Sequence, residues 1–240
     1  MAPTNVYHDV NYVYLIFVDN HIIRKMLPQF IKHQKMKSLF FIAVACLFVA
    51  CNPNSSSVNE WRGPNRSGVY NEQNLLKSWP ESGPKLLWET NDLGAGFGSP
   101  AVTGDKIFVV GIQDSTSVLF AFDSEGKPLY KTNLGKEWMT NFPGSRSTPT
   151  VVDSLVYVVT GTGDVTCLNK ENGSVKWHIN MVTVLGGVSP MFGFAESLKV
   201  DGDNVFCCPG GTQHNVVALN RFTGKVIWSC AGKGERPGYN

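Results

Sequence analysis

Apolar and polar positions alternate in short bursts through the C-terminal half of the chain, and the bursts recur in a fixed order. Val205–Cys208 is a β-prone run entered through Asp201-Gly202-Asp203-Asn204, a cluster that favours a turn. Val216–Leu219 is a second run, and Thr223-Gly224 then turns the chain into Lys225-Val226-Ile227-Trp228. Residues 195–228 are therefore predicted to fold as four short strands closed by a tryptophan. Each strand is too short to bury an apolar face alone, so the unit requires stacked copies of itself.

Two copies lie upstream. Ser99-Pro100-Ala101-Val102 and Ile107–Gly111 match Thr148-Pro149-Thr150-Val151 and Val156–Thr160, which match Ser197–Val200 and Val205–Pro209; the runs at 107, 156 and 205 are each shifted by 49 residues. Later in each unit Asp123, Asn169 and Asn220 lead to Gly126, Gly173 and Gly224, and then to Tyr130, Trp177 and Trp228. Glycine at a fixed place in a turn marks a position that needs φ > 0. Four short strands in a period of about 45 to 50 residues are the pattern of β-propeller blades. The predicted fold class is all-β, a partial propeller of four-stranded antiparallel blades at about 99–135, 147–182 and 195–230.

Composition adjusts this picture only slightly. In 240 residues the charged fraction is 17%, aromatics reach 11% and glycine occurs 24 times, as suits a turn-rich β protein. The formal net charge of +2 misleads, because Arg24, Lys25, Lys32, Lys35 and Lys37 precede Cys51 with only Asp9 and Asp19 against them; 16 basic and 17 acidic residues remain beyond it. No basic stripe is left, so a nucleic-acid partner is not supported.

The N-terminal region reads as targeting sequence. Met36-Lys37 precedes twelve apolar residues, Leu39–Ala50, then Cys51 and the polar run Asn52–Ser57. A basic start, a short apolar core and small residues before the cut describe a secretory signal, and twelve residues are fewer than the roughly 20 that cross a bilayer. Phe48-Val49-Ala50-Cys51 resembles the bacterial lipobox, with phenylalanine where leucine is usual, and the resemblance implies cleavage before Cys51 and its diacylation. The expected organisation is a non-native upstream extension at 1–35, a signal peptide at 36–50, a lipidated tether at 51–60 and a propeller domain at 61–240. Pro84–Glu89 is expected to form an orphan outer strand by its Trp88, with no partners ahead of it. Three blades are fewer than the 4–8 of closed propellers, so the sequence is expected to be a fragment of a longer protein.

Ala218-Leu219-Asn220-Arg221-Phe222-Thr223-Gly224-Lys225-Val226-Ile227-Trp228 resembles the tryptophan-docking repeat of pyrroloquinoline quinone (PQQ)-type β-propellers. The second unit departs from it at Cys167 and Asn172, and the first ends in Tyr130. The resemblance covers roughly residues 61–230; it implies a full ring of eight blades in which Trp88, Tyr130, Trp177 and Trp228 dock on neighbouring blades, with Gly126, Gly173 and Gly224 in the turns. Trp61-Arg62-Gly63-Pro64 and Pro143–Thr150 look like a bacterial secreted subfamily of it.

Relatives of this kind include quinoprotein alcohol dehydrogenases and a non-catalytic lipoprotein that assists outer-membrane β-barrel assembly. The residues favour the second. Quinoprotein dehydrogenases carry a vicinal disulfide, but the repeat places Cys207-Cys208 on a strand, where adjacent side chains point to opposite faces. Cys167 and Cys230 show no metal spacing, His178 and His214 lack a partner at metal or triad spacing, and the carboxylates Asp105, Asp123, Asp153, Asp164, Asp201 and Asp203 sit where turns use them for backbone hydrogen bonds. Gly186-Gly187 and Gly210-Gly211 open no helix and so make no phosphate loop. Trp138 and Arg146 lie in an inter-blade loop that could carry function facing a central funnel, and packing accounts for Trp138 equally well. The expectation is a lipoprotein of the bacterial cell envelope, held to the membrane at Cys51, that acts as a binding or assembly scaffold for an envelope protein partner, with no catalytic, cofactor-binding or metal residues assigned. The alternative is a PQQ- and calcium-dependent alcohol or polyvinyl-alcohol dehydrogenase-like oxidoreductase.

Overall fold

The computed structural model describes residues 58–59 and 61–238; the expected extension, signal peptide and Cys51 lie outside the described residues. Three antiparallel sheets account for the regular structure, apart from a 3-10 turn at Pro64–Arg66. Strand β1 (Val58–Asn59) is followed by the first blade, β2 (Ala101–Val102), β3 (Lys106–Gln113), β4 (Thr116–Asp123) and β5 (Pro128–Lys136). The second blade is β6 (Thr150–Val152), β7 (Leu155–Val159), β8 (Asp164–Asn169) and β9 (Val175–Asn180). The third is β10 (Lys199–Asp201), β11 (Asn204–Cys207), β12 (Val216–Asn220) and β13 (Val226–Cys230). Strands within each blade pair in sequence order, as hairpins that need only local turns.

The core lies between blades. In the middle blade every residue of β7, Leu-Val-Tyr-Val-Val, is buried. Alternation explains how: Val156 and Val158 pack with Phe108, Val110 and Leu119 of the first blade, while Tyr157 and Val159 pack with Val205, Cys207 and Leu219 of the third. A strand covered on both faces reads as a continuous apolar run, which is how it appears in the sequence. The outer strands β5, β9 and β13 have one neighbour each and are largely exposed.

Each blade repeats one irregularity. The β4–β5, β8–β9 and β12–β13 ladders slip at Ala121/Phe122, Cys167/Leu168 and Ala218/Leu219, just before the turn to the outer strand. In that turn the side-chain oxygen of Asp123, Asn169 or Asn220 accepts two backbone N–H groups from the following residues. Gly126, Gly173 and Gly224 follow at φ of 82°, 69° and 69°.

The sequence reading is corrected at three places. Pro84–Glu89 is not a strand, because among the described residues no strand lies beside it to pair with. Cys208 lies beyond the end of β11, where the chain leaves the ladder. Val58–Asn59, assigned to the tether, instead pairs with the inner strand of the second blade, Val58 opposite Val152 and Asn59 opposite Val151.

Candidate functional site

The blades are joined by two links that recur at the repeat spacing. The first is an aromatic ring laid on the turn glycine of the next blade. Trp88 lies over Gly126, Tyr130 over Gly173 and Trp177 over Gly224; a Cβ at Gly173 or Gly224 would come within 2.5 or 2.7 Å of a ring carbon. Each ring also donates to the carbonyl just after the turn's Asp or Asn: Trp88 Nε1 to Ser124 (3.2 Å), Tyr130 Oη to Lys170 (2.7 Å) and Trp177 Nε1 to Arg221 (2.8 Å). Tyrosine thus reaches with its hydroxyl the carbonyl that tryptophan reaches with its indole N–H. Trp88 achieves this without being part of a strand. Trp228 is 47% exposed and rests against Phe206 of its own blade, 6.0 Å between ring centroids.

The second link lies at the inner edge. Ser99 N donates to Thr148 Oγ1 (3.0 Å) and Thr148 N donates to Ser197 Oγ (3.1 Å), each across 49 residues. These hydroxyls face a cleft of about 280 Å³ that Trp61, Phe97 and Arg146 also line.

Arg146 organises the loops at this end. It is 7% exposed, donates from Nη1 to Gly144 O and from Nη2 to Asn141 O and Phe142 O, and stacks on Phe97 at 5.5 Å. Glu137, 4% exposed, braces the same loop by accepting from Trp138 N and Gly161 N. Burial pushes its carboxyl above the ordinary value, against those hydrogen bonds and the Arg146 charge. Asn141 Nδ2 donates to Met191 O, and Phe142 meets Phe192 at 6.4 Å, so the loops on either side of the second blade are joined. On this braced frame Phe97, Met139, Phe142, Met191 and Phe192 stand 40–71% exposed.

The opposite end carries ion pairs, beside an exposed Phe222. Lys106 pairs with Glu171 (3.0 Å) and Arg221 with Asp153 (2.9 Å), linking the turns of successive blades. The molecule therefore has a turn end knit by charge and a loop end that presents apolar side chains.

The other residues singled out from the sequence are dispersed. Cys167, Cys207, Cys208 and Cys230 are free thiols; Cys207 is buried in the core between the second and third blades. Burial pushes the Cys167 and Cys208 thiols up to about 12 and that of Cys207 higher still. His178 Nε2 meets Asp164 Oδ1 (2.8 Å), whose carboxylate also accepts from Thr160, Thr162 and Asn180; His214 Nδ1 meets Ser229 Oγ. Trp138 packs beside Gly161 and Gly193. Glu137 had no signal in the sequence.

Stacked four-stranded blades with aromatic-on-glycine seats define a β-propeller of the PQQ type. A family model described as outer membrane protein assembly factor BamB matches residues 80–236, and the chain belongs to that family. No curated protein sequence matches it. Similar solved structures include a europium-containing methanol dehydrogenase (16% identity, 61% of this chain and 26% of that one, TM-score 0.45). BamB from Moraxella catarrhalis (20%, 60% and 42%, TM-score 0.44) and a quinohemoprotein alcohol dehydrogenase from Comamonas testosteroni (18%, 58% and 21%, TM-score 0.43) are others. The chain spans 21–42% of the length of these three proteins.

A calcium–quinone pair needs carboxylate or amide oxygens for the ion as well as donors for the quinone. The loop-end cleft offers a guanidinium and hydroxyls, but no Asp, Glu, Asn or Gln lines it. Cys207 and Cys208 stand outside it. The cleft residues present here do not fit that pair.

Proposed function

We propose that this chain acts as a binding or assembly scaffold in the bacterial cell envelope, exported and held to the membrane by acylated Cys51, with a protein partner docking on the loop end. The observation that carries the reading is the exposed set Phe97, Met139, Phe142, Met191 and Phe192 on a frame fixed by buried Arg146 and Glu137. Exposed apolar patches on rigid loops mark interaction sites, and Phe and Met are enriched at protein interfaces. Pre-ordered loops lose little conformational entropy on binding, so the apolar area is not spent on ordering them. The family match and the lipobox-like Phe48–Cys51 support the envelope location.

The test is a tagged full chain purified from detergent-solubilised envelopes. A stoichiometric partner is expected with the wild type and is lost with Phe142→Asp combined with Phe192→Asp. Two buried aromatic anchors at about 2 kcal/mol each correspond to roughly a thousandfold loss of affinity. Circular dichroism of both proteins is expected to be the same, since these side chains are exposed. Equal recovery of the partner by the variant refutes the docking site. Alcohol-dependent dye reduction after loading with PQQ and calcium refutes the scaffold reading in favour of an oxidoreductase.

A further inference from the structure

A buried cation without a counter-charge stands beside the apolar loops. Arg146, 7% exposed, donates to the carbonyls of Gly144, Asn141 and Phe142, which are dipoles and leave its charge uncompensated. Its Nε has no partner, and among the described residues no carboxylate pairs with it. Glu137, the carboxylate of the same loop, spends Oε1 on Trp138 N and Gly161 N. A charge withdrawn from water is costly unless an opposite charge reaches it.

The cleft of about 280 Å³ that Arg146 lines has room for such a charge and the donors to hold it. Ser99, Thr148 and Ser197 place three hydroxyls on its wall. Thr148 Oγ1 accepts from Ser99 N and Ser197 Oγ accepts from Thr148 N, so each of these two hydroxyls keeps its own proton for another acceptor. Arg66 braces the same wall, with Nη2 donating to Ser197 O. No acidic side chain lines the cleft; Glu196, between the lining residues Ala195 and Ser197, accepts from Cys208 N. Trp61 and Phe97 add apolar surface. One uncompensated guanidinium matches one negative charge, and a carboxylate is the singly charged group whose geometry suits it.

We propose, resting on the loop-end docking proposed above, that this cleft is the specificity pocket of that surface. It takes the side-chain carboxylate of an acidic residue of the protein partner, flanked there by apolar residues. The carboxylate lies against Arg146 and accepts from the hydroxyls of Ser99, Thr148 and Ser197. The flanking apolar side chains meet Phe97, which belongs to both the cleft and the exposed set, and Phe142, whose carbonyl Arg146 holds. A partner with an uncharged or basic residue at that place leaves the guanidinium buried and unpaired, and is rejected for that reason.

The test titrates two peptides, N-acetyl-Phe-Glu-Phe-amide and N-acetyl-Phe-Gln-Phe-amide, into the purified full chain by isothermal titration calorimetry. The glutamate peptide is expected to bind at least about tenfold more tightly than its uncharged isostere, since charge-assisted hydrogen bonds are about twice as strong as neutral ones. Arg146→Gln is expected to abolish the difference. Arg146 also braces the loops, so Ser99→Ala is the second variant: its backbone N–H still reaches Thr148 Oγ1. That variant is expected to keep the melting temperature and to bind the glutamate peptide about threefold to tenfold more weakly. No binding of either peptide, equal affinity for both, or no effect of Ser99→Ala overturns the carboxylate pocket. Partner recovery that still depends on Phe142 and Phe192 then leaves the docking loops standing, which separates the two failures. Phenylacetate binding more tightly than the glutamate peptide overturns the protein partner in favour of a small free acid.

Discussion

Trp177 and Trp228 occupy the same place in the repeat, and the structure gives them opposite weights. Trp177 is 9% exposed, lies over Gly224, packs on Tyr157 at 6.1 Å and donates to Arg221 O. Replacing a buried tryptophan by alanine removes its transfer energy and leaves a cavity, a loss of about 3–5 kcal/mol. In a domain of this size each kcal/mol moves the melting temperature by about 2–4 °C, so Trp177→Ala is expected to lower it by about 10 °C. Trp228, half-exposed and touching Phe206, has an aromatic contact of about 1 kcal/mol to lose, so Trp228→Ala is expected to lower it by about 3 °C. Trp177→Tyr retains a donor for the Arg221 carbonyl, as Tyr130 does for Lys170, and is expected to fall between the two. Circular dichroism melts of the full chain and the three variants at one pH give the comparison. Equal losses at 177 and 228 would refute the claim that seating on the next blade's glycine, and not repeat position, carries the energy.

Two further outcomes follow from burial. Glu137 has its folded value raised above the ordinary 4.5, so the fold favours the protonated carboxyl. The stabilisation is full below pH 4.5 and is lost as pH rises through the folded value, so Glu137→Gln is expected to flatten the fall in melting temperature between pH 4.5 and 8; a steeper fall in the variant would contradict the sign. Among the four thiols of the blades, exposed Cys230 is expected to alkylate within minutes at pH 8 and Cys208 slowly, while Cys167 and Cys207 react only in denaturant, as followed by peptide mass mapping.

The repeat was legible because every blade packs on a copy of itself. The same steric demand therefore returns at the same offset: a glycine under a ring, an Asp or Asn to hold the turn, an apolar run buried on both faces. These are local requirements that neighbouring copies impose alike, and so they leave a period in the sequence. Glu137 was not legible, since one carboxylate in a loop carries no sign that it will be buried beneath Gly161 and Trp138. Pro84–Glu89 misled for the complementary reason. Its apolar spacing and Trp88 fit a strand, but a strand exists only with a hydrogen-bonded neighbour.

The sequence by itself determined the architecture: all-β, in four-stranded antiparallel units that recur as the blades of a propeller. It also placed Cys207-Cys208 on one strand; the strand holds Cys207 and ends before Cys208. Tertiary structure alone decided which rings find a seat, which end of the blades gathers the exposed phenylalanines and methionines, and that Val58–Asn59 enters beside Val152. The division has one physical cause. Strand, turn and repeat are set by residues a few positions apart, whereas the two ends of a blade differ only through contacts between segments tens of residues distant, such as Arg66 with Ser197 and Phe142 with Phe192.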